Sequence, residues 1–169
     1  WDASSENWQV SNTVGNSGFS AQFNYYTVNE GSYSESLATT FLNADSLFVG
    51  SFYLDYDLKL EDVNSTATEY LILQIKQSLW DTWRTLDTIK NEGSFDWVNK
   101  HILLNFGPRS NVFQIRFVAS GENSSNISSW YIDNVNIYNI CDAPTEISSN
   151  YFWNSDDKYG ITLCWESPA

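Results

Sequence analysis

An aspartate stands in the middle of a strand-like run of core formers, Trp130-Tyr131-Ile132-Asp133-Asn134-Val135-Asn136-Ile137-Tyr138. Read with period two, Tyr131, Asp133, Val135 and Ile137 share one face, so a carboxylate lies in line with β-branched residues. An ionised carboxylate on a buried face is costly unless it is hydrogen-bonded, paired or bound to a metal. Two chemistries fit Asp133: oxygen-only coordination of a structural calcium ion, and hydrogen bonding to backbone or to a tyrosine. The chain has no Asp-x-Asp-x-Asp-Gly loop, so any calcium site must be assembled from distant segments.

Three tryptophans, Trp80, Trp83 and Trp97, stand among polar residues. An indole can stack on the apolar face of a sugar ring, and it can equally pack over the edge of a sheet. Tyr53, Asp55 and Asp57 alternate along one face of a strand, where they either meet a ligand or cation or form an ordinary solvated face.

Catalytic chemistry finds little support. His101 is the only histidine, so a Ser-His-Asp site has to use it, and no Gly-x-Ser-x-Gly elbow accompanies it. One histidine and two cysteines without a Cys-x-x-Cys pair do not make a zinc site. The neighbouring acids Asp55/Asp57 and Glu61/Asp62 read as surface charge rather than as a glycosidase pair. The chain is expected not to be an enzyme.

Alternating runs show which strands carry these residues. In Phe52-Tyr53-Leu54-Asp55-Tyr56-Asp57-Leu58-Lys59-Leu60 one face is apolar and the other polar. Phe113, Ile115 and Phe117 point inward from a second such run, and Leu71-Ile72-Leu73-Gln74-Ile75-Lys76 reads as a more central strand. Turn signals fall at Asn29-Glu30-Gly31-Ser32, Asn91-Glu92-Gly93-Ser94, Phe106-Gly107-Pro108-Arg109 and Ser120-Gly121-Glu122-Asn123. No capped helix with 3.6-residue apolar spacing is present. Many short strands joined by polar turns predict an all-β protein, a two-sheet antiparallel β-sandwich of jelly-roll type.

Composition agrees. Aromatics make up 17% of 169 residues, a β-rich proportion. The net charge of −13, with only eight Lys plus Arg, opposes binding to nucleic acid or to an anionic membrane surface. No apolar run approaches the roughly 18 residues of a membrane-spanning helix. The absence of methionine suggests a mature or excised piece, and the Ser- and Asn-rich composition suits export.

A break follows at Cys141-Asp142-Ala143-Pro144, and alternation resumes in Ile161-Thr162-Leu163-Cys164-Trp165. The last 28 residues, from Asp142, are too few for a sandwich and look like the opening hairpin of another domain. In that hairpin Cys141 and Cys164 either form a disulfide, worth roughly 3 kcal/mol for a loop of about two dozen residues, or remain two free thiols.

The order of these motifs is similar to the MAM-like jelly-roll modules of Bacteroidetes secreted proteins, the choice-of-anchor J or cleaved-adhesin group. The resemblance rests on Trp1 and Trp8, Glu35-Ser36-Leu37-Ala38-Thr39-Thr40, Leu54-Asp55-Tyr56-Asp57, Leu71 to Lys76 with Trp80-Asp81-Thr82-Trp83, Gln114-Ile115-Arg116-Phe117, and Trp130 to Val135. It covers roughly residues 1–140, and the terminal strand is its most specific part. The family's usual acidic-aromatic strand before the first Trp is not in this sequence, and Thr40 stands where Pro is common. Residues 141–169 resemble the start of a fibronectin type III domain, through Ala143-Pro144-Thr145, Thr162-Leu163-Cys164-Trp165 and Pro168.

The resemblance implies a non-catalytic adhesion or binding module of a larger secreted or cell-surface protein, taking a glycan or a surface protein and contacting neighbouring domains of its own polypeptide. It also implies Asp2 and Asn24 as co-ligands of a structural calcium at Asp133. A structural spacer in an adhesin or filament, and an accessory domain of a secreted peptidase or glycoside hydrolase, are the alternatives.

Overall fold

The computed structural model describes residues 1–25, 30–43, 51–104 and 112–140, together with the backbone of 147–153 and 159–165. The alternating runs become strands: β1 (Asp2–Ala3), β2 (Trp8–Ser11), β3 (Ser20–Asn24), β4 (Glu30–Ala38), β5 (Leu42–Asn43), β6 (Ser51–Asp62), β7 (Tyr70–Lys76), β8 (Arg84–Lys90), β9 (Phe95–Leu104), β10 (Val112–Asn123), β11 (Ile127–Ile140), β12 (Ile147–Trp153) and β13 (Tyr159–Trp165). One sheet runs in the order β1-β4-β10-β7-β8, with β5 also on β10, and the other in the order β2-β3-β11-β6-β9. Every pairing is antiparallel, and the two sheets form the expected β-sandwich. Strands β12 and β13 pair in a two-stranded sheet of their own. Cys141 lies outside the described residues, and so does the disulfide expectation that rests on it.

Period-two burial fills the space between the sheets. Strand β6 contributes Phe52, Leu54, Tyr56, Leu58 and Leu60; β7 contributes Leu71, Leu73 and Ile75; β10 contributes Phe113, Ile115 and Phe117; β11 contributes Trp130 and Ile132. The intervening residues of β6, from Tyr53 to Glu61, therefore face outward on the five-stranded sheet. Among the described residues no helix is long and apolar enough to cross a membrane.

Two sequence readings need correction. Tyr131 and Asp133 do not share a face with Val135 and Ile137. The register passes from Asp133↔Asp57 to Asn136↔Asp55, a β-bulge that places two residues of β11 opposite Tyr56. Asn134 occupies it with φ of 50°, a left-handed conformation that asparagine tolerates better than most residues. The phase flips there, so Trp130 and Ile132 join the core before the bulge and Val135 and Ile137 pack against it afterwards. The second correction concerns two turn readings: Ser120-Gly121-Glu122-Asn123 is the bulged end of β10, and Glu30-Gly31-Ser32 open strand β4. A Cβ at Gly121 would come within 2.9 Å of Glu69 Cγ and 3.0 Å of the Thr68 carbonyl oxygen, so the glycine answers a close approach.

Candidate functional site

The outward face of β6, β9 and β11 gathers most of the chemistry on this molecule. At one end the Tyr53 and His101 rings stack at 4.5 Å with 17° between their planes, and Tyr138 lies 6.0 Å from Tyr53. Asp55 ties them together. Its Oδ1 is 2.6 Å from His101 Nδ1, and its Oδ2 accepts the Tyr138 hydroxyl at 3.0 Å. The register dictates this grouping, because Asp55 lies opposite His101 on β9 and Asn136 on β11, and Tyr53 lies opposite Tyr138.

At the other end Trp97 leans against Tyr131, centroids 6.3 Å apart. The Tyr131 hydroxyl donates to Glu61 Oε2 at 3.1 Å, while Gln22 Nε2 donates to Ser129 Oγ and to the Tyr131 oxygen. Lys59 reaches both Glu61 and Asp96 at 3.5 Å. Loss of water raises the Tyr131 phenol above its ordinary range, as it does that of Tyr138, where Asp55 adds to the effect. Both phenols are neutral donors at physiological pH.

Between the two ends Asp57 and Asp133 are buried, each 8% exposed, directly opposite one another. Asp133 Oδ2 accepts the backbone N–H groups of Asn16 (2.8 Å) and Ser17 (2.9 Å), and Oδ1 accepts that of Asn134 (2.7 Å). Asp57 accepts side-chain amides from Asn16, Asn134 and Asn99. Hydrogen bonds from Asn134 first, then Asn99 and Asn16, outweigh burial and hold the Asp57 carboxyl below its ordinary range.

The structure disperses the residues that the resemblance groups round calcium. Asn24 lies opposite Ser129, four residues along β11 from Asp133, or about 13 Å at the usual strand rise. Asp2 belongs to the other sheet, opposite Ala38. The donors on Asp133 are N–H groups, which a cation would have to displace, and among the described residues no three acidic, histidine or cysteine side chains converge. The residues present do not fit that ion.

The three tryptophans also separate. Trp97 belongs to the face just described, whereas Trp80 and Trp83 sit in the β7–β8 connection at the end of the opposite sheet. Trp80 is 94% exposed and Trp83 half-buried. Sequence reasoning noticed Tyr53, Asp55 and Asp57 but not their partners His101, Tyr138, Asn16 and Asn99. His101 and Asn99 alternate with period two along β9, which is a signal, but the pairing of β9 with β6 is not written in either strand.

The sequence matches no protein-family model and no curated protein. Solved structures are similar in fold. A family 61 carbohydrate-binding module in complex with β-1,4-galactotriose shares 14% identity over 82% of this chain and 86% of that one, with a TM-score of 0.55. A cleaved-adhesin domain of Lys-gingipain from Porphyromonas gingivalis shares 11% identity over 82% and 94% of the two chains, TM-score 0.53. A second such domain of that protein gives 14% over 80% and 93%, TM-score 0.50. At these identities the likeness establishes a jelly-roll sandwich fold.

Proposed function

We propose that this protein is a non-catalytic, extracellular or cell-surface binding module that takes a glycan across the outward face of its five-stranded sheet. One observation carries the reading: aromatic groups at both ends of that face, Tyr53/His101/Tyr138 and Trp97/Tyr131, flank a strip of carboxylates and amides. Sugars present apolar ring faces, which stack on aromatic rings, and hydroxyls, which both donate and accept. Tyr53 and Lys59 are six residues apart on β6, about 20 Å, so an extended oligosaccharide spans both ends. The galactotriose complex of the similar module supports a sugar as ligand. Titration calorimetry against neutral β-linked oligosaccharides, galactotriose included, tests the reading. Binding that Tyr53→Ala and Trp97→Ala each weaken supports it, and a panel without binding, or binding indifferent to both substitutions, overturns it.

A further inference from the structure

The opposite face of the sandwich carries charge of the other sign. Outward positions on three adjacent strands of the six-stranded sheet are Tyr70, Ile72, Gln74 and Lys76 on β7, Gln114, Arg116, Val118 and Ser120 on β10, and Thr85, Thr88 and Lys90 on the edge strand β8. None is acidic, in a chain with 21 Asp plus Glu and a net charge of −13. On the five-stranded sheet, by contrast, the outward run of β6 alone presents Asp55, Asp57 and Glu61. Acids near this face among the described residues include Asp81, engaged with the backbone N–H groups of Gln77 and Thr82, Asp2 on edge strand β1, two strands from Arg116, and Glu122 at the far end of β10.

Two of these cations converge on one indole. The Arg116 guanidinium carbon lies 4.2 Å and Lys76 Nζ 5.0 Å from the Trp83 ring centroid, and Lys76 also lies 5.1 Å over Phe41. Arg116 Nε donates to Gln74 Oε1 at 2.8 Å, which fixes the fork. Among the described residues neither cation pairs with a carboxylate, whereas Lys59 on the other face has two. The rings hold the cations by cation–π attraction, which leaves N–H donors for an external anion. Beside them the same connection presents Leu79, 66% exposed, and Trp80.

We propose that this face is a second binding site, and that it takes an acidic saccharide, a sugar ring bearing a carboxylate or a sulfate ester. The ring stacks on Trp80 while the anionic group accepts hydrogen bonds from Arg116 and Lys76. A bilayer is the weaker fit, because the overall charge repels an anionic surface and, among the described residues of the β7–β8 connection, just Leu79 and Trp80 are exposed large apolar groups. The site lies on the opposite sheet from the glycan face proposed above, so either can fail without the other.

The test is calorimetry of the full chain with a trigalacturonate and with a chondroitin sulfate hexasaccharide, galactotriose serving as the neutral control. Binding of at least one acidic ligand is expected, weakened about tenfold by Trp80→Ala and by Arg116→Gln and weakened further by salt, with Tyr53→Ala without effect. Circular dichroism of Arg116→Gln separates lost binding from lost fold, and Trp80→Ala removes only an exposed ring. Three outcomes overturn the proposal: no binding of either acidic ligand, binding that Trp80→Ala leaves unchanged, and binding confined to anionic lipid vesicles.

Discussion

Asp57 and Asp133 face each other directly across β6 and β11, two buried carboxylates that no lysine or arginine pairs among the described residues. Two asparagines reconcile them. Asn16 and Asn134 each give their backbone N–H to Asp133 and their side-chain amide to Asp57. Six amide donors thus satisfy what a cation would otherwise balance: the backbone and side-chain N–H groups of Asn16 and Asn134, the Ser17 backbone N–H and the Asn99 side-chain amide.

Asp57 is therefore a source of pH-dependent stability. Its folded pKa lies below the unfolded value, so its contribution is fully present above the ordinary carboxylate range and is lost as pH falls through the folded value. Asp57→Asn removes the charge and keeps the shape. It is expected to lower stability by roughly 1 to 3 kcal/mol at neutral pH. Urea denaturation from pH 7 downward checks this, with the gap between wild type and variant closing as the acid limb is reached.

Asn134 has two separable roles, a left-handed backbone and an amide on Asp57. Asn134→Gly keeps the backbone and loses the amide; Asn134→Ala loses both. The alanine variant is expected to be less stable than the glycine variant by about 1 to 2 kcal/mol, the usual cost of placing a Cβ in that region. Thermal melts of the pair measure it, and equal stabilities would mean that the bulge relaxes.

That bulge also marks where the sequence stopped being legible. The inward faces of β6, β7 and β10 follow strict alternation and were readable residue by residue, because hydrophobic burial acts on each side chain where it stands. The run through Asp133 was misread because one extra residue inverts the pattern, and nothing in Val135 or Ile137 reports the inversion. The site was legible only strand by strand. Tyr53 and Asp55 were seen on their own outward face, yet His101 and Tyr138 join them through registers with β9 and β11, which lie tens of residues away in the chain. Trp80 and Trp83 shared a sugar-stacking expectation with Trp97, and only the sheet order places them on the other sheet.

Glu69 organises the loops at one end of the sandwich. It is fully buried, and its carboxylate accepts the hydroxyls of Thr66 and Thr68, the Asn123 backbone N–H and the Asn126 amide. Burial pushes its pKa up, but these four donors together hold it below the ordinary range. The threonine hydroxyls can reverse and accept, while the Asn123 N–H cannot. Glu69→Gln is accordingly expected to cost under about 1 kcal/mol, and Glu69→Ala, which orphans buried donors, about 3 kcal/mol or more. Gly121→Ala, which drives a Cβ against Glu69 and the Thr68 carbonyl, should fall on the severe side. Chemical denaturation of the three variants ranks them, and a mild Gly121→Ala would show that the loop can yield.

Trp130 is fully buried beside Phe95, and its indole N–H finds no acceptor among the described residues. A buried orphan donor carries a penalty of about 1 to 3 kcal/mol, which offsets part of what the large ring contributes by packing. Trp130→Phe removes the penalty together with some volume, whereas Trp130→Ala removes most of the ring and leaves a cavity. The alanine variant is expected to lose about 3 to 5 kcal/mol and the phenylalanine variant less than half of that. Trp80→Ala, at the exposed extreme of the same residue type, should change stability by no more than about 0.5 kcal/mol. Denaturation midpoints of all three decide it. If Trp130→Phe proves as damaging as Trp130→Ala, shape rather than the unsatisfied N–H governs that position, and the core tolerates no smaller ring beneath the five-stranded sheet.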